Sequence, residues 1–220
     1  EDIGRSRAVA VAARLGLPGF KPYASLALGA QEVTLFDLTR AYIPFANWGY
    51  DAQPYGLAAI YTLGGETLYQ HEASAKGRVI DTQTLGLINL MLRRVVDAGT
   101  GRAARIAGRD IAGKTGTTND YRDAWFIGYA SDYVAGVWVG NDDNSQMSRV
   151  TGGAIPARIW QRFMSAALAD HPNTNLPTAS APVIPQREAT LEKLLTELEA
   201  NLPISGENDE SLKTPSFGPN

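Results

Sequence analysis

The sequence contains no cysteine, which excludes disulfide bonds, thiolate nucleophiles and cysteine-ligated zinc sites. Histidine is scarce as well, because His71 and His171 stand alone in the sequence. Neither a histidine-based metal site nor a Ser-His-Asp triad therefore has support. The sequence predicts no bound metal.

Long apolar runs and a strong net charge are also missing. The longest apolar run near the start, residues 8–13, is far shorter than the ~20 residues of a membrane-spanning helix. No signal-peptide pattern opens the sequence, so we expect any membrane anchor to lie outside it. The net charge of −3 argues against nucleic acid or an anionic membrane as the main partner.

The overall composition is that of an ordinary globular protein, and local patterns predict helices and strands throughout the first 170 residues. Apolar residues at helical spacing predict helices over 5–15, 35–48, 82–96 and 155–169, with Thr34 and Asp81 as N-caps. Two short segments around Gly64-Gly65 predict a β-hairpin. Residues 123–129 and 133–140 are apolar on both faces, which predicts strands covered by helices on both sides.

The composition changes at His171 to proline, threonine, asparagine, serine and glutamate. We therefore place the end of one domain, residues 1–170, near Asp170 and interpret residues 171–220 as a mostly flexible C-terminal tail. Leucines at helical spacing predict one helix within that tail, over residues 188–200.

The most informative stretch is residues 112–118, Ala-Gly-Lys-Thr-Gly-Thr-Thr. In an extended strand Thr115 and Thr117 share one face, and Lys114 and Gly116 share the other. Gly116 has no Cβ, so another chain can lie close to the backbone there. A peptide paired with this strand would bring its terminal carboxylate to the threonine hydroxyls and the Lys114 ammonium. The stretch therefore predicts an edge that binds a peptide carboxyl terminus.

Lys114-Thr115-Gly116, followed by Thr117-Thr118, resembles the third motif of penicillin-binding proteins and class A β-lactamases. Flanking residues 96–104, 119–129 and 137–140 extend the likeness to the transpeptidase domain of class A, bifunctional penicillin-binding proteins, over about residues 1–170. The resemblance implies an α+β fold of the penicillin-binding protein and serine β-lactamase type. Its antiparallel sheet would be covered by helices on both faces, and this sequence would represent the later half of the domain.

The resemblance also implies a reaction, serine acyl transfer. A serine attacks the D-Ala-D-Ala carbonyl of a peptidoglycan stem peptide, and the terminal D-alanine leaves. The acyl group then passes to an amine of a neighbouring peptidoglycan strand, and β-lactams acylate the same serine. By this likeness Lys114 and Thr117 are catalytic, and Thr115, Gly116, Thr117 and Thr118 bind substrate. Lys114 would orient the proton-shuttling hydroxyls, and the Thr117 N–H would be one oxyanion donor.

The two other motifs of that family, Ser-x-x-Lys with the nucleophile and Ser-x-Asn, do not occur in the sequence. The nearest match, Thr190-Leu191-Glu192-Lys193, follows the lysine motif and is interpreted as helix surface. We therefore expect the chain to be a C-terminal fragment that is inactive alone. The resemblance implies an N-terminal part of the same protein that carries the nucleophile, together with a glycosyltransferase domain.

Three functions remain open. The first is the transpeptidase part of a peptidoglycan synthase. The second is a D,D-carboxypeptidase or β-lactamase-like hydrolase, in which water takes the acyl group. The third is a non-catalytic module that binds peptidoglycan or β-lactams. The resemblance places the protein outside the cytoplasm, in the periplasm or cell envelope, tethered to the inner membrane through the missing N-terminal region.

One further pattern, Gly99-Thr100-Gly101 with Ala104, has the G-x-G-x-x-A spacing of a dinucleotide loop. Such a loop follows a strand and opens a helix, whereas this one follows a predicted helix and leads to a strand. We interpret it as a tight turn behind the lysine strand and predict no cofactor.

Overall fold

The computed structural model describes residues 4–72 and 75–178 of the chain. The helix predicted at 188–200 lies outside the described residues. The helices are α1 (Arg5–Arg14), α2 (Leu35–Ala41), α3 (Ile43–Ala46), α4 (Thr82–Asp97) and α5 (Ile155–Ala167). The strands are β1 (Tyr50–Ala52), β2 (Ala59–Tyr61), β3 (Thr67–Gln70), β4 (Ala75–Arg78), β5 (Ala112–Thr117), β6 (Asp123–Tyr129) and β7 (Val134–Gly140).

Both predicted N-caps are confirmed. The Thr34 hydroxyl oxygen accepts the Asp37 N–H at 3.0 Å at the start of α2. The Asp81 carboxylate accepts the Thr84 N–H at 2.9 Å at the start of α4. These bonds satisfy backbone donors that the first helical turn leaves without an intrahelical partner. Hydrogen bonding from the Thr84 side chain, and then from its backbone, holds the pKa of the Asp81 carboxyl below its usual value.

The single helix predicted over residues 35–48 is wrong, because the structure divides it into α2 and α3. Pro44 has no N–H to donate to the carbonyl one turn earlier, and its ring crowds that carbonyl. The chain tightens just before it, where the Tyr42 N–H donates to the Thr39 carbonyl at 3.1 Å. The break turns the short α3, with Phe45 and Ala46 buried, toward the core.

The main sheet is antiparallel, with the strand order β5-β6-β7. In its register Lys114 lies opposite Ile127, and Gly116 lies opposite Trp125. The predicted hairpin is confirmed as the β2–β3 pair. A further antiparallel pair, β1 with β4, was not predicted, because its short strands are separated by the whole hairpin and their register is irregular.

Helices cover both faces of the main sheet, as predicted. On one face, Trp160 and Met164 of α5 pack against Phe126, and the rings of Phe126 and Trp160 meet edge to face with centroids 5.2 Å apart. On the other face, Phe45 of α3 packs with Tyr129 of β6. This α+β arrangement places β6 in the middle of the core and leaves β5 beside it.

A buried polar cluster joins the second face to the end of the described chain. Asn89 and Tyr129 are fully buried, and the Tyr129 hydroxyl donates to the Asn89 carbonyl oxygen at 2.7 Å. The Asn89 amide donates in turn to the carbonyls of Phe45 and Pro177, at 3.4 and 3.1 Å. Because every one of these groups is out of water, each depends on its partner.

Residues 171–178, just beyond the predicted domain end near Asp170, lie against the rest of the described chain. The Leu176 N–H donates to Asp110 at 2.8 Å, and Arg93 donates both to Asp110 at 2.6 and 2.7 Å and to the Leu176 carbonyl at 2.8 Å. Leu176 is itself buried. The domain limit stays a prediction, but Leu176 and Pro177 are buried although the composition of this segment is that of a tail.

We predict that Tyr129→Phe lowers the free energy of unfolding by about 1–3 kcal/mol, because it leaves the buried Asn89 oxygen without its donor. Burial also raises the pKa of Tyr129 well above its usual value, so the hydroxyl is a donor throughout the neutral range. Urea denaturation measures the effect. Tyr23→Phe is the matched control, because Tyr23 is 60% exposed; an equal effect of the two changes would contradict the prediction.

Candidate functional site

Strand β5 begins in the core and ends at the surface. Ala112 and Gly113 are buried, whereas Lys114 and Thr117 are exposed. Among the described residues the strand pairs with β6 alone, so it forms an edge of the main sheet. An edge strand leaves alternate backbone N–H and C=O groups free to pair with another chain.

The hydroxyls of Thr115 and Thr117 lie on one face of this edge, as the strand alternation predicts. Thr115 Oγ1 lies 2.7 Å from Thr100 Oγ1. Thr117 Oγ1 accepts the Gly152 N–H at 3.1 Å. Thr100 belongs to the turn after α4, and Gly152 belongs to residues 151–154 before α5, which we call the glycine loop.

The glycine loop contacts the sheet backbone directly. A Cβ built on Gly152 would lie 3.0 Å from the Gly116 nitrogen and would overlap the carbonyl oxygens of Gly116 and Trp125. A Cβ on Gly153 would overlap the carbonyl oxygen of Thr100. The loop can therefore deliver its N–H to Thr117 only because neither residue has a side chain.

Lys114 lies on the opposite side of the strand. Its ammonium donates to the Thr115 carbonyl at 2.8 Å, which uses one of its three N–H donors. Gly116 shares this face with Trp125, whose Cβ would lie 3.1 Å from a Cβ added to Gly116. On this face Trp125 packs closely against the Gly116 backbone, and the exposed Lys114 ammonium keeps two N–H donors for a ligand.

Thr118 is placed differently from the other predicted site residues. Its hydroxyl oxygen accepts the Asp123 N–H at 2.8 Å, and the hydroxyl lies 3.1 Å from the Asp123 carboxylate. The Trp138 indole N–H donates to the other oxygen of that carboxylate at 2.9 Å. The Thr118 side chain therefore closes the turn after β5, and its role in substrate binding stays a prediction.

The structure brings together site residues that the motif alone does not identify. Thr100, Gly152 and Gly153 lie far from the lysine motif in the sequence and meet it only in the fold. The glycine pair just before a predicted helix was a usable signal, since consecutive glycines allow a close backbone approach. Within the described part of the chain no cluster of acidic or histidine side chains could hold a metal ion.

A cavity of about 840 Å³ lies elsewhere, between α1 and α2, and has no lining residue from β5. Its wall includes Asp37 and the partly buried ion pair of Arg40 and Asp51, in which Arg40 Nη2 lies 3.4 Å from Asp51 Oδ2. We base the candidate site on β5, because ligand recognition by an edge strand needs no deep cavity.

Comparison with known proteins gives consistent matches. Residues 20–165 match the family described as penicillin binding protein transpeptidase domain. Penicillin-binding protein 1A of Aquifex aeolicus is 37% identical over 174 residues, which cover 79% of this chain and 24% of that protein. The structure of penicillin-binding protein 1A from Haemophilus influenzae has a TM-score of 0.69 at 28% identity, covering 81% of this chain and 33% of that one.

A second solved structure, penicillin-binding protein PonA1 from Mycobacterium tuberculosis, also has a TM-score of 0.69. At 24% identity, over 79% of this chain and 52% of that one, it supports the fold. The chain spans about a quarter of the length of the curated relatives it matches first. Every helix in the described part of the chain is too short or too polar to cross a membrane.

We predict that Gly152→Ala lowers the free energy of unfolding by about 1–3 kcal/mol, because the added methyl group forces the glycine loop off the sheet backbone. Urea denaturation measures the loss. Gly56→Ala is the matched control, since a Cβ at Gly56 meets no atom within 4 Å. A Gly152→Ala protein as stable as the Gly56→Ala protein would show that the loop does not depend on this contact.

Proposed function

Since the chain belongs to the penicillin-binding protein transpeptidase family, we propose that it is part of a D-Ala-D-Ala transpeptidase of a peptidoglycan synthase. In this proposal the protein cross-links stem peptides by serine acyl transfer, and this chain holds the carboxyl terminus of the donor peptide. The α+β fold is that of the family's transpeptidase domains.

The observation that carries the proposal is the arrangement of Lys114, Thr115 and Thr117 on an edge strand. A stem peptide pairs with the free edge of β5 through its backbone, and its terminal carboxylate accepts hydrogen bonds from the two hydroxyls. The Lys114 ammonium, on the other side of the strand, adds positive potential to the same edge. The Thr117 N–H is one oxyanion donor, a contribution that typically amounts to about 2.7–4 kcal/mol in the transition state.

The nucleophile comes from outside these 220 residues, because the sequence has no Ser-x-x-Lys. In the proposal it belongs to an upstream part of the same protein, which also carries a glycosyltransferase domain and the anchor in the inner membrane. The protein acts in the periplasm or cell envelope, where stem peptides are exposed. β-Lactams occupy the same edge through their carboxylate and acylate the same serine.

A non-catalytic module that binds peptidoglycan or β-lactams is the second candidate. The absence of Ser-x-x-Lys from this sequence is the observation that favours it. A hydrolase of the same fold differs only in passing the acyl group to water, and the β5 edge serves both reactions equally.

The first prediction of the proposal concerns covalent labelling by a β-lactam. We expect intact mass spectrometry to find an adduct on the intact transpeptidase, meaning this sequence joined to the upstream segment with Ser-x-x-Lys. We expect none on the 220-residue chain alone, because a thiol and the family's serine nucleophile are both missing. An adduct on the short chain would overturn this division of roles, and no adduct on either would favour the binding module.

The second prediction concerns Lys114. In the intact transpeptidase Lys114→Met should lower the second-order rate constant of β-lactam acylation by about 10- to 100-fold, since a hydrogen bond to a charged group contributes about 1.5–3 kcal/mol. Stopped-flow labelling with a fluorescent penicillin measures this constant. Lys21→Met removes another exposed lysine and should leave it unchanged; equal constants for the two variants would remove Lys114 from the mechanism.

A further inference from the structure

The turn between α4 and β5 brings a third hydroxyl to the site, that of Thr100, at 2.7 Å from Thr115 Oγ1. We propose that Thr100 is a positioning residue, which fixes the direction of the Thr115 hydrogen bond and so selects ligands with a free carboxylate. This inference rests on the proposed function, because it concerns the same carboxylate-binding edge. It assigns a role to a residue outside the lysine motif.

The direction of the hydrogen bond between Thr100 and Thr115 matters because a hydroxyl has a single proton. A carboxylate only accepts hydrogen bonds, so Thr115 can bind it only by donating that proton to the ligand. The Thr115 oxygen is then free to accept, and Thr100 is placed to donate to it. In the reverse direction the Thr115 proton points at Thr100, and the ligand loses a donor.

The neighbouring threonine shows the same principle with a fixed donor. Thr117 Oγ1 accepts the Gly152 N–H, and a backbone N–H can only donate. The Thr117 proton is therefore directed away from the loop and is available to an anion. Thr100 donates a hydrogen bond to the Thr115 oxygen, as the Gly152 N–H does to the Thr117 oxygen. The resulting chain of hydrogen bonds, from Thr100 through Thr115 to the ligand, is strengthened cooperatively.

The position of Thr100 is fixed by contacts on each side of it. A Cβ on Gly99 would lie 2.9 Å from the Val95 carbonyl oxygen, and one on Gly101 would lie 3.1 Å from the Phe126 ring. The Gly101 N–H also donates to the Val95 carbonyl at 2.9 Å. The two glycines thus let the turn lie tight against the end of α4 and the core, with only the Thr100 side chain directed to β5.

The test compares Thr100→Val, which removes the hydroxyl at nearly constant volume, with Thr100→Ser, which keeps it. Both are made in the intact transpeptidase, and acylation by a penicillin is compared with acylation by its methyl ester. For the free acid we expect Thr100→Val to raise the dissociation constant of the non-covalent complex about three- to tenfold, the usual effect of one hydrogen bond. The acylation rate constant of the Thr100→Val protein and its reaction with the ester should be close to those of the wild type. The Thr100→Ser protein should resemble the wild type with both ligands.

Two further variants separate the possible outcomes. Adding Thr100→Val to Thr115→Val should raise the dissociation constant for the acid little further, because the two hydroxyls act as one unit. Thr62→Val is the matched control, since its hydroxyl accepts the Glu66 N–H in the β2–β3 turn, outside the site. Urea denaturation verifies that each variant is folded.

The role of Thr100 would be overturned if Thr100→Val weakened binding of the acid and of the ester equally. It would also be overturned if the Thr100→Ser protein bound the acid as weakly as the Thr100→Val protein. If Thr115→Val weakens binding of the acid and Thr100→Val does not, the role of Thr100 is overturned and the proposed function stands. If the wild-type protein reacts with neither ligand, the proposed function falls, and the role of Thr100 falls with it.

Discussion

The backbone of Gly152 lies directly against the β5–β6 pair at Gly116 and Trp125, and the geometry of the site depends on this contact. A Cβ at Gly152 would overlap the carbonyl oxygens of Gly116 and Trp125, so a side chain there would force the loop away from the sheet. With the contact in place, the loop N–H reaches Thr117 and α5 begins three residues later. The start of a core helix and the Thr117 hydroxyl are thus positioned by the same close approach.

A consequence of this packing is that the two threonine hydroxyls are constrained by different parts of the chain. Thr117 is oriented by the loop before α5, and Thr115 by the turn after α4. Both helices are anchored in the core through Trp160, Met164 and Val96. An anion bound at the strand edge therefore meets groups that are already oriented, so little free energy is lost in ordering them.

The elements predicted correctly from the sequence depend on nearby residues. Thr34 and Asp81 cap helices through bonds three residues away, and β6 and β7 follow from unbroken apolar runs. The prediction failed at Pro44, where helical spacing was given more weight than the missing N–H. The meeting of Thr100 with Thr115 could not be read from spacing, because it depends on how α4 packs beside β5.

The packing of residues 171–178 sets a limit on where the protein can be shortened. A cut at Asp170, the point where the composition changes, would remove Leu176 and Pro177, the acceptors for Arg93 and Asn89. It would also remove the carbonyls of His171 and Pro172, which accept from Arg109. Two arginines and a buried amide would each lose an acceptor at once, so we expect a chain cut at Asp170 to be less stable than one that extends to residue 177.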